Sequence, residues 1–111
     1  MMESKTALSE PEPVLEKIAE CRLKVKGKIS FETVLELKKQ GEEFLRPGCG
    51  PCVIDLSGVI EGGSAAVSLL LSWLRYSNEH NIQLSYCDLP VDMLNVAQLS
   101  GVDQLLPILI D

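Results

Sequence analysis

The chain has 111 residues, 46% of them hydrophobic and 23% charged, with a formal net charge of −6. That is one globular domain with a single ordinary core, not a disordered polymer. An acidic chain whose Lys and Arg are scattered argues against binding nucleic acid or an anionic membrane, since both require clustered cations.

The first residues, MMESKTALSEPEPV, are polar and acidic without an apolar leader. Residues 1–13 are therefore expected to be a flexible tail, with the domain running from 14 to 111. Val14 to Ile18 reads as a short first strand. Cys21 to Lys26 alternates apolar and basic residues, the period of a strand with one wet face, and Gly27-Lys28 ends it. Ser30 is the expected cap of a helix carrying Phe31, Val34, Leu35, Leu37, Phe44 and Leu45 as its apolar stripe and glutamates and lysines opposite. Gly41 is expected to bend or end that helix. Arg46 to Pro51 is a Gly/Pro loop.

Cys52 to Leu56 is a β-branched apolar run, expected to be a central strand buried on both faces. Ser57 to Gly63 reads as loop, Ser64 as an N-cap, and Ala65 to about Glu79 as a largely buried helix. Ile82 to Cys87 alternates as a strand, Val91 to Leu99 is a short amphipathic helix closed by Ser100-Gly101, and Leu105 to Ile110 is a last short strand or a tail. The order β-β-α-β-α-β-α implies an α/β domain whose sheet is mixed at the N-terminal edge.

Several residue sets could carry chemistry. Cys49-Gly50-Pro51-Cys52 has the form of a dithiol redox centre, but it leads into a strand, where no helix dipole would favour a thiolate. As half of a zinc site it would need Cys21, Cys87 or His80 to complete it. In the cytosol expected here all four cysteines would be reduced. His80, the one histidine, ends a helix with Asn78, Glu79 and Asn81, which suits an imidazole on terminal carbonyls better than a hydrolytic triad. Asp55 and Glu61 have no evident carboxylate partner for acid–base work. Gly62-Gly63-Ser64 precedes a helix as a phosphate turn does, yet lacks the lysine and the glycine spacing of nucleotide loops. A hydroxyl there either caps the helix or is exposed to partners, where an added phosphate would meet free N–H groups.

Val53-Ile54-Asp55-Leu56-Ser57-Gly58-Val59, followed by a loop, Ser64 and an apolar helix with Leu70, resembles the STAS domain. The family pattern is roughly two apolar residues, Asp-Leu-Ser, one residue, Val, then three residues, Asp, Ser or Thr, small residues and an apolar helix. The resemblance extends from about Val14 to Leu106. It implies a small mixed sheet with α-helices packed on one face, and a protein that binds partners rather than catalyses, with no cofactor. Ser64 falls on the family's phosphorylatable hydroxyl, but Gly63 stands where the Asp is expected, and Ala65 and Ala66 replace glycines. Pro90-Val91-Asp92-Met93 and Gly101-Val102-Asp103 look more like the stand-alone, MlaB-type members. Those accompany the ATPase of an ABC transporter that moves phospholipids between membranes. The resemblance implies a contact surface at Gly62, Gly63, Ser64, Ala65, Val67 and Ser68. It also implies a cytoplasmic protein with no insertion of its own into the membrane, held peripherally at the inner membrane by its partner. The alternative it leaves open is an anti-sigma factor antagonist, phosphorylated on Ser64 by a partner kinase.

Overall fold

The computed structural model describes residues 13–48 and 50–109; apart from Pro13, the expected tail lies outside them. Strands β1 (Val14–Ala19) and β2 (Arg22–Gly27) are followed by helix α1 (Val34–Phe44), β3 (Cys52–Val59), α2 (Gly63–Glu79), β4 (Leu84–Cys87) and α3 (Val91–Leu99), then a short 3-10 turn (Asp103–Leu105). The sheet order is β1-β2-β3-β4. β1 pairs antiparallel with β2, whereas β2–β3 and β3–β4 are parallel. A tight turn can join only the antiparallel pair; each parallel pair needs a helical crossover.

Alternation places Leu23 and Val25 of β2, Cys52, Ile54 and Leu56 of β3, and Leu84 and Tyr86 of β4 in the core. Leu37 of α1, six residues of α2 from Ala65 to Trp73, and Met93 and Ala97 of α3 cover that face. Each large apolar side chain buried this way contributes roughly 2 kcal/mol. β3 is not buried on both faces as its apolar run suggests: Val53 and Asp55 are half-buried and Ser57 is exposed on the side without helices. β3 also runs past Leu56, because Lys26 and Gly27 of β2 pair with Gly58 and Val59 and hold these residues in the ladder.

Gly41 does not end α1, which runs on to Phe44. It is buried, and a Cβ there would lie 2.3 Å from the Trp73 ring. Glycine lets the indole lie against the α1 backbone and donate from Nε1 to the Lys38 carbonyl (3.2 Å). The start of α1 also differs from expectation. Ser30 and Thr33 bond each other in a turn, with Thr33 Oγ1 donating to the Ser30 carbonyl and accepting from Ser30 N–H, so the helix begins only at Val34. Phe31 is left in the turn, and Phe31 and Leu35 face solvent instead of joining the apolar stripe. At the far edge, β4 is covered by the C-terminal segment: Tyr86 N–H donates to the Pro107 carbonyl and Leu109 N–H to that of Tyr86. That segment forms a single parallel bridge, Tyr86 to Ile108, where a short strand or a tail was expected.

Candidate functional site

The edge that carries Ser64 is built by two loops held side by side at the carboxyl ends of β2 and β3. Ile60 N–H donates to the Gly27 carbonyl (2.9 Å) and Ile29 N–H to that of Glu61 (2.8 Å). Lys28 pairs with Glu61 at 3.4 Å. The chain then turns sharply into α2 through its two glycines. Gly62 approaches so closely that a Cβ on it would lie 2.4 Å from that of Ala66. Gly63 has φ +50, in the left-handed region where side chains are disfavoured. The backbone thus accounts for glycine at the position where the family pattern has Asp.

Ser64 is not the N-cap. That position is Gly62, no side chain caps α2, and the first turn carries no acidic residue. Ser64 instead lies within the first turn, exposed, at the positive end of a seventeen-residue helix. Ser68 is exposed one turn on. Ala65 and Val67 are buried and face the core, so they set how near the helix lies to the sheet and offer no side chain to a partner. Of the six residues singled out in the sequence, Gly62, Gly63, Ser64 and Ser68 form one accessible, uncharged surface. Phe31 in the turn before α1, Leu35 in its first turn and Ile60 in the loop before α2, which the sequence did not single out, are large apolar side chains with exposures of 71%, 75% and 64%. The signal for Leu35 was there. An inward face set by Leu37 and Gly41 points Leu35 outward, since four residues nearly complete a helical turn and two do not.

The other candidates are dispersed. His80 Nδ1 donates to the Tyr76 carbonyl (2.8 Å), and its ring stacks on that of Tyr76 (4.1 Å). It ends α2, about 24 Å of helix from Ser64, too far for a triad. Cys52 is buried and its thiol is pushed up by burial, the reverse of an activated nucleophile. Its CxxC partner, Cys49, lies outside the described residues. The expectation that every cysteine is reduced fails at Cys21, which is disulfide-bonded, while Cys52 and Cys87 are free thiols. Among the described residues, Asp55, Cys87 and Asp88 bring potential metal-ligating atoms within 4.8 Å of one another. Arg22 donates to the Cys87 sulfur and Ser57 N–H to Asp55, so this cluster reads as a hydrogen-bond network on the open sheet face. Burial first, then the Asp55 charge, push the Cys87 thiol up.

Residues 14–109 match the family model described as "Mlab, STAS domain". The chain belongs to the STAS family, in its MlaB-like branch. No curated protein matches it. Among solved structures, a chain of the Acinetobacter MlaFEDB complex in its ATP-bound state is 24% identical, with a TM-score of 0.74 over 86% of this chain and 99% of that one. An anti-sigma factor antagonist from Mycobacterium paratuberculosis is 19% identical, with a TM-score of 0.69 over 90% and 86%. The anti-sigma factor antagonist SpoIIAA in its unphosphorylated form is 14% identical, with a TM-score of 0.65 over 90% of each chain. These similarities establish the STAS fold. Among the described residues, no helix is long and apolar enough to cross a membrane.

Proposed function

We propose that this STAS protein is a non-enzymatic accessory subunit that docks on the cytosolic ATPase of an ABC transporter for phospholipids and supports its assembly and activity. One observation carries the reading: on an MlaB-like STAS fold, the start of α2 presents an uncharged surface of two half-buried glycines and two exposed serines, with no acidic residue in the helix's first turn. Small residues let a partner backbone approach closely and lose little side-chain entropy on contact. The test is Ser64→Glu, assayed by copurification with the cognate ATPase and by ATPase activity. A glutamate in the first turn suits the helix dipole, so the fold is retained. Docking is expected to weaken by about 2 kcal/mol or more, because the added carboxylate is desolvated without a partner. Unchanged copurification and activity would sink the proposal.

A second reading, the anti-sigma factor antagonist, is supported by the accessible Ser64 hydroxyl beside free helix N–H groups, where a phosphate of charge about −2 would be held and would block docking. Gly63, in place of an Asp, is the reason it ranks second. Mass spectrometry of the protein from cells separates the two: phosphate on Ser64 supports the antagonist, and an unmodified serine together with a captured ATPase supports the subunit.

A further inference from the structure

The apolar side chains around the Ser64 edge form a strip whose position follows from the packing of α1 on α2. Both helices follow parallel crossovers and run the same way, and the bond from Trp73 Nε1 to the Lys38 carbonyl fixes their register. Lower down, Lys38 and Glu42 of α1 face Ser72, Arg75, Tyr76 and Glu79 of α2 across a groove of about 270 Å³. At about 100° per residue, Leu35 falls on the same flank of α1 as Lys38 and Glu42. Counting back along α2 from Ser72 gives Ser68 and then Ser64, each one turn apart. Leu35 therefore falls along the upper end of this groove, on the side of Ser68 and Ser64, and Phe31 precedes it in the turn that leads into α1. Ile60 lies in the loop bonded to Gly27 and Ile29, the segment that leads to Phe31.

The charges around this strip are unequal. Next in the chain to Phe31, Leu35 and Ile60 stand Glu32, Glu36 and Glu61, all exposed, with Lys28 tied to Glu61. The cations of α1, Lys38 and Lys39, begin further from the edge, and Lys38 is paired with Glu42. Three large apolar side chains more than 60% exposed, bordered by carboxylates, match an apolar surface that itself bears cations.

We infer that Phe31, Leu35 and Ile60, with Glu32 and Glu36, extend the Ser64 surface into a docking strip for an apolar segment carrying Lys or Arg on the ATPase subunit. This inference rests on the docking function proposed above and names the chemistry of its partner. An acidic or purely polar partner surface does not fit the strip.

The test measures affinity for the purified cognate ATPase subunit by calorimetry, between about 50 and about 300 mM salt. Phe31→Ser/Leu35→Ser is expected to weaken binding about tenfold or more. Glu32→Gln/Glu36→Gln is expected to weaken it less and to flatten its salt dependence. Leu99→Ser, at a residue 89% exposed on α3, is expected to leave affinity unchanged. All these side chains are exposed, and circular dichroism confirms that each variant folds. If the wild type binds, yet both double variants bind within about twofold of it, this inference fails and the docking function stands. A wild-type chain that does not bind the ATPase overturns both. Light scattering that shows a wild-type dimer, lost in Phe31→Ser/Leu35→Ser, overturns the inference in favour of a second copy as occupant.

Discussion

Two residues show how local rules yield to packing. By helix propensity alone, Gly41→Ala should gain about 1 kcal/mol. The Trp73 ring, 2.3 Å from the added Cβ, reverses the sign, because overpacking a core costs about 1–3 kcal/mol and the indole is pinned to Lys38. The expected outcome is a loss of about 2 kcal/mol in urea unfolding, with a changed tryptophan emission. Ser77 is the opposite case. Its hydroxyl is buried in α2 without a hydrogen-bond partner. A buried orphan of this kind costs about 1–3 kcal/mol, so Ser77→Ala is expected to raise the unfolding midpoint. An unchanged or lowered midpoint would show that the hydroxyl is paired.

At the scale of elements, the two sheet edges are managed differently. β1 lies at an edge with charged Glu16 and Lys17 at its centre and a register shift near its end, features that discourage pairing with another chain. The β4 edge is covered by the segment after the 3-10 turn, which also places Leu106 in the core. Ending the chain after Gly101 removes a buried leucine and both backbone bonds that cover β4 at once. A loss of about 3 kcal/mol is expected in urea unfolding, with growth of aggregates in light scattering. A monodisperse, equally stable truncated protein would show that the segment is dispensable. The junction of β3 and α2 obeys the same logic: its glycines are explained by Ala66 and by a positive φ, so its backbone shape does not depend on what Ser64 contacts.

For the whole molecule, pH dependence follows from acids buried in their neutral forms. Tyr86, whose hydroxyl donates to the Leu70 carbonyl at 2.6 Å, has its pKa raised by burial, as do the Cys52 and Cys87 thiols. A raised folded-state pKa means stability that is fully present below the unfolded values and lost as pH rises through the folded ones. Those unfolded values are about 8.5 for cysteine and about 10 for tyrosine. Stability is therefore expected to hold through neutral pH and to fall at alkaline pH, measured as the urea midpoint against pH. Tyr86→Phe should delay the fall while lowering neutral stability by about 1 kcal/mol. An identical alkaline limit in that variant would remove Tyr86 as its cause.

The period-two alternation of Cys21 to Lys26, the apolar run of Cys52 to Leu56 and the long apolar pattern after Ser64 were enough to read a mixed α/β sheet, its element order and its STAS character from the sequence. Those signals are local and repeat over several residues, so each element announces itself. The sequence did not show which face an apolar residue takes when an element's start is uncertain. The Ser30–Thr33 turn delays α1 and leaves Phe31 exposed ahead of it. Gly41 is explained only by Trp73, which lies far from it in the chain. Ser64 reads as a cap because it is a serine ahead of a helix, and only the left-handed Gly63 moves the cap to Gly62. Hydroxyl, glycine and apolar side chain were all visible in the sequence. Their assembly into one exposed surface was decided by tertiary packing, because burial is a property of neighbours and not of residues.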